Sequence, residues 1–135
     1  MPRLIAAAAV LALSAAAAHA DNHAGVVAAD QSVSNGIVSA SKVMAPKNGW
    51  LVVHRTGADM KPGPVVGYAP LRGGSNEDVA AILTEPVAPG DMLMLMVHSE
   101  DGGMKTGIFE YTLGAKEDGP IRIDDKLVMT VITAK

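Results

Sequence analysis

Methionine falls on every second residue at Met92, Met94 and Met96, and His98 continues the same row. Met104 follows after the turn-like stretch SEDGG, residues 99–103. Thioether sulfur and imidazole nitrogen are the ligand types that suit a soft Cu(I) ion. Met96, His98 and Met104 therefore form a candidate copper set. Spacing argues for caution, because residues i and i+2 of a strand stand roughly 6.5 Å apart. Two of them reach one ion only when their side chains lean together. Alternation also places Leu93, Leu95 and Val97 on the opposite face. A strand apolar on both faces is one covered on both sides. The chain has one Trp, two Tyr and one Phe, so something else must fill its interior. Methionine, a flexible filler of irregular cores, is the expected packing material, and the row reads first as core.

A second copper route is local. An export leader spans residues 1–20: Arg3 supplies a positive start, residues 4–18 an apolar core, and Ala18-His19-Ala20 the small residues that precede cleavage. Cleavage after Ala20 leaves Asp21, Asn22 and His23 at the amino terminus. A free amine, two backbone amides and a third-position imidazole make a square-planar nitrogen set, which suits Cu(II). A one-residue error in the cleavage site abolishes it.

The remaining constellations carry less chemistry. His54 and His98 each end an apolar strand. In an immunoglobulin-like arrangement their strands are antiparallel neighbours, which puts the two rings at opposite rims on the order of 20 Å apart. A shared metal is not expected there. SEDGG and Asp124-Asp125 lack the ligand spacing of a calcium loop and read as solvated turns. RGGSNED, residues 72–78, lacks the lysine and following helix of a phosphate loop. No nucleophile–histidine–acid or paired-carboxylate spacing is present, so an enzyme is not expected.

Bulk properties narrow the classes further. The formal net charge is −3, and loss of Arg3 with the leader makes it about −4. Without a basic stripe, nucleic acid and anionic membrane surfaces are not expected partners. The leader core is shorter and richer in alanine than a stable membrane span of about 20 residues. No cysteine occurs, which excludes a thiolate-based blue-copper centre. An exported domain held by burial alone fits the periplasm or the secreted compartment.

After a loose leader at residues 21–25, residues 26–135 show short apolar runs separated by turn residues, the pattern of an all-β domain. Strands are expected at 26–33, 37–43, 50–55, 65–71, 79–83, 92–98, 106–113 and 126–133. Asn35-Gly36 supplies the positive φ a tight turn requires. Eight strands with local turns predict an immunoglobulin-like antiparallel β-sandwich.

Several pieces together, DQSVSNGIVSASKVMAPKNGWLVVHR, KPGPVVGYAPL, SNEDV, GDML leading into MVH, and GIFEY, resemble a family of secreted domains of unknown function from exported proteins of haloarchaea and bacteria. The resemblance covers Val26 to Thr133. It implies an exported β-sandwich module, often part of a larger surface protein, with no known activity or established site. The family's usual pattern keeps the equivalents of Met96 and His98 but not the other methionines, which makes Met92 and Met94 poor candidates for a shared function. The expected role is a non-catalytic module that contacts a protein or envelope partner through the loops at Thr56–Pro64 and Gly114–Pro120. A small copper-binding protein is the competing expectation.

Overall fold

A computed structural model describes residues 24–135. The expected export leader and the Asp21, Asn22 and His23 triplet lie outside the described residues. Nine strands run in order: β1 Gly25–Val27, β2 Ile37–Ala45, β3 Gly49–Thr56, β4 Val65–Leu71, β5 Gly74–Leu83, β6 Met92–Ser99, β7 Arg122–Ile123, β8 Lys126–Leu127 and β9 Met129–Thr133. Seven of them form one antiparallel sheet in the order β1-β2-β5-β4-β3-β6-β9. The remaining two, β7 and β8, make a small hairpin turned by Asp124 and Asp125, both at positive φ.

The all-β, antiparallel expectation therefore holds at the coarse level. The division into two packed sheets does not: β1 lies against both β6 and β9, so the single sheet curls until its edges approach, nearly closing a barrel. The approach of β1 to β9 shields the edges that an open seven-stranded sheet would present. Just past the strand ends, Gln31 also bridges Ala134 in parallel fashion.

The barrel interior is built from alternate residues. Leu51 and Val53 of β3, Leu93, Leu95 and Val97 of β6, and Val38, Ala40 and Val43 of β2 belong to one buried apolar cluster. A register shift between Val53 and His54 leaves Val66 of β4 as an extra residue, which joins that interior. Such a bulge bends its strand and re-aims the side chains beyond it.

Residues 106–113, expected as a strand, are not one. They belong to a long segment from Glu100 to Pro120 that crosses the outside of the sheet. The alternation of Ile108, Glu110 and Thr112 with Phe109, Tyr111 and Leu113 resembles a strand, but β6 already has β3 on one side and β9 on the other. With β3 along one edge of β6, and β9 and then Pro120 along the other, residues 106–113 can only lie over its face. The polar stretch 72–78, expected as a connection, is mostly strand: β5 begins at Gly74 and pairs along β2.

Candidate metal centre

The centre grows from the outer faces of β3 and β6. Their register pairs Trp50 with His98, Val52 with Met96 and His54 with Met94. These six residues share the face opposite the interior cluster, and all six are buried. Gly49 makes the close approach possible at one end, since a Cβ there would collide with the His98 carbonyl.

The 100–120 segment covers this face. Tyr111 packs edge-on against both imidazoles, with ring centroids 4.5 Å from His98 and 5.9 Å from His54. Phe109 stacks on Tyr68 at 4.3 Å and meets Trp50 edge-on at 5.5 Å. All four aromatic residues of the chain thus gather in one lid-and-floor cluster. Polar contacts hold the lid: Trp50 Nε1 donates to Glu100 Oε2 at 3.1 Å, and Lys47 pairs with Asp101 at 3.0 Å.

Beneath the lid the two histidines meet. His54 and His98 are fully buried, and their Nε2 atoms lie 3.3 Å apart. The expectation of rings at opposite rims is corrected by the register. His98 lies opposite Trp50, and the Trp50-to-His54 span is only about 13 Å of strand. Both rings lean inward across the Val52–Met96 pair and close that span.

Each ring's tautomer is set by its other nitrogen. His54 Nδ1 faces the Gly63 carbonyl at 2.7 Å, and His98 Nδ1 faces the Asp118 carbonyl at 2.6 Å. A carbonyl only accepts, so both Nδ1 atoms donate. In a neutral imidazole the proton is then spent, and Nε2 is a bare lone pair. The 3.3 Å contact therefore opposes two acceptors. It becomes attractive only when one positive charge enters between them.

A proton is a poor candidate for that charge at neutral pH. Burial pushes His54 below the ordinary 6.5, and the bond to Gly63 only partly opposes this. Burial pushes His98 down to about 4, against the raising effects of the Asp118 carbonyl bond and carboxylate, and repulsion from His54 adds to the fall.

Asp118 closes the back of the centre. It is fully buried and holds a left-handed φ of 47°. Its Oδ1 accepts from the Asp101 amide at 3.1 Å and its Oδ2 from the Glu110 amide at 2.8 Å. Its own amide donates to the Asp101 carbonyl at 2.9 Å.

The family described as Domain of unknown function (DUF7282) matches residues 24–135. The chain belongs to that family. No curated protein and no solved structure matches it.

Within this DUF7282 domain the expected ligand set comes apart. Met96 and His98 share the buried face, as alternation required. Met104 sits on the lid and is 96% exposed, so it does not join them. Met94, set aside as a shared-function residue, is buried opposite His54. Tyr111 and Asp118 are the members that sequence reasoning misses, and His54 is the one it weighs beside His98 and sets aside. The register that pairs Trp50 with His98 is what brings His54 within reach. Nothing local marks Asp118. Among the described residues, no cluster of three or more His, Cys, Asp or Glu stands ready to hold a metal. Zinc or calcium would need such a cluster; a two-coordinate ion needs only the pair.

Proposed function

We propose that this domain is an exported, non-catalytic protein that binds one soft monovalent ion, Cu(I), between His54 and His98. A single observation carries the reading: two buried Nε2 lone pairs aimed at each other, each fixed by a backbone carbonyl at its own Nδ1. Cu(I) accepts imidazole and thioether donors and tolerates a linear pair. With metal–imidazole bonds of about 2 Å, a linear bridge needs the two nitrogens about 4 Å apart. The 3.3 Å gap must therefore widen by a few tenths of an ångström at each ring. Met94 and Met96 supply a soft, uncharged floor on the same face.

The test is an anaerobic titration of the purified protein with Cu(I) against a chromogenic chelator. One equivalent should bind, and His54→Gln and His98→Gln should each abolish it, while Met104→Ala should leave it intact. Binding that survives both histidine variants overturns the reading. Deleting residues 21–23 separates any Cu(II) held by the amino-terminal triplet.

A second reading has its own observation. Tyr68, Ile82 and Leu113 are 44%, 72% and 56% exposed around two adjoining surface hollows that share Tyr68 and Thr84. An interaction module would use this apolar surface rather than the polar loop tips. It is the role that remains if Cu(I) shows no stoichiometric binding.

A further inference from the structure

Asp118 is an unusual residue to bury. Its carboxylate is enclosed, yet among the described residues it forms no ion pair with Lys or Arg. Burying an unpaired charge costs several kcal/mol unless hydrogen bonds or a nearby cation compensate it. Its backbone sits in the left-handed region, which adds strain for a non-glycine residue. A turn needing that geometry would be served more cheaply by glycine, and Gly119 is the next residue along. Both costs fall on the one residue whose carbonyl orients the His98 ring.

Asp118 also ties the lid to itself and to the centre below. Its side chain accepts from the amide of Asp101 near the lid's start and from that of Glu110, which adjoins Tyr111. Both partners belong to the lid, so these bonds fix the lid's own shape. Its carbonyl reaches down to His98 Nδ1 and is the one of these contacts that crosses to the floor. The histidines are fully buried beneath the lid. An ion enters only where the lid lifts.

Resting on the Cu(I) reading above, we propose that Asp118 is the positioning residue of the two-histidine centre, its carboxylate balancing the ion's single positive charge and bracing the lid so that its carbonyl stays aimed at His98. Two neutral imidazoles, one monovalent cation and one carboxylate sum to zero charge, which a dry site tolerates. A divalent ion on the same groups leaves a net positive charge buried, so the arrangement selects for charge as well as softness. No bond to the ion comes from Asp118; it acts through His98 and through the field.

Asp118→Asn separates this role from a structural one. The amide keeps the shape and one acceptor oxygen but removes the charge, and its NH2 group faces one of the two backbone amides. Its melting temperature is therefore expected to fall in either case. Cu(I) affinity of the folded variant should fall at least tenfold, with the same loss for Ag(I). A merely structural residue gives the lower melting temperature with unchanged Cu(I) affinity in the folded protein. A folded Asp118→Asn variant that holds Cu(I) as tightly as the parent overturns the proposal and leaves the two-histidine reading standing. Failure of the parent to bind Cu(I) overturns both. If the variant does not fold, amide exchange in the parent decides. Loading with Cu(I) should slow exchange at Asp101 and Glu110 at least tenfold, and unchanged exchange at those two amides overturns the bracing role.

Discussion

Strands β3 and β6 bury both of their faces, but in different ways. The inner face, with Leu51, Val53, Leu93, Leu95 and Val97, packs against other strands of the curled sheet. The outer face, with Trp50, Val52, His54, Met94, Met96 and His98, is covered by the irregular segment from Glu100 to Pro120. The first cover is a set of strands hydrogen-bonded along their length, which opens only when the domain unfolds. The second rests on a few side-chain contacts, the His98–Asp118 bond and backbone bonds at its two ends, so it can open locally at less cost. Polar chemistry sits under the cover that can move. The inner face is apolar up to Arg55 at its end, which pairs with Glu85 and Asp91, whereas the outer face holds two imidazoles whose lone pairs collide. On the proposed Cu(I) reading, the division separates the work of holding the fold from the work of holding an ion.

The sharpest way to break that division is Leu95→Ala. Leu95 is fully buried on the inner face. Truncation removes apolar contacts and leaves a cavity, at a cost of about 3 kcal/mol. Denaturant unfolding should report that loss, while the folded fraction still takes one equivalent of Cu(I). Coupled loss of stability and metal stoichiometry would show that the two faces are not independent.

Acid gives the second largest effect, and its histidine part should act through the outer face. Both imidazoles have pKa values lowered from 6.5, His98 to about 4. In the unfolded chain the rings protonate near 6.5; in the folded chain both protonate at lower pH, His98 at about 4. Between those values the unfolded state binds more protons, so stability rises with pH. The contribution is fully present above pH 6.5 and is lost as pH falls toward about 4. For His98 the loss is on the order of 3 kcal/mol. Carboxylates also titrate across this range, so the diagnostic quantity is the difference between the metal-free parent and His98→Gln. The variant's stability should fall less steeply between pH 6.5 and 4. Identical slopes would mean that the ring is not buried neutral.

What the sequence made legible follows the same division. Period-two alternation depends only on neighbours along the chain, so β2, β3, β4 and β6 could be read almost to their ends, β4 without error at Val65–Leu71. Burial of the methionine row on a two-sided strand was legible for the same reason. The candidate centre was not, because it depends on register between β3 and β6 and on which segment lies above them. His98 was in view; its partner His54 was placed a rim away, since nothing in one strand says how far its neighbour is shifted. The lid was read as a strand because Phe109, Tyr111 and Leu113 alternate with less apolar residues. Only the occupied edges of β6 reveal that no pairing position is left for it. Asp118 is invisible in sequence, since its meaning rests on burial and a left-handed backbone.

The smallest expected effect bears on the methionines themselves. Met96 lies opposite Val52, between the two histidine positions, and is almost wholly buried. As packing, it is replaceable by another unbranched or γ-branched apolar side chain of similar volume. Met96→Leu conserves that volume and should cost under about 1.5 kcal/mol. As a ligand, it is not replaceable, since leucine offers no lone pair. The two imidazoles complete a linear coordination sphere by themselves, so Cu(I) affinity in Met96→Leu should stay within roughly threefold of the parent, well under the 1.4 kcal/mol that a tenfold change represents. A drop beyond tenfold at near-parental stability would make the thioether a third ligand. The outer face would then be a three-coordinate site that borrows one of its own packing residues, and the separation between holding the fold and holding the ion would fail at Met96.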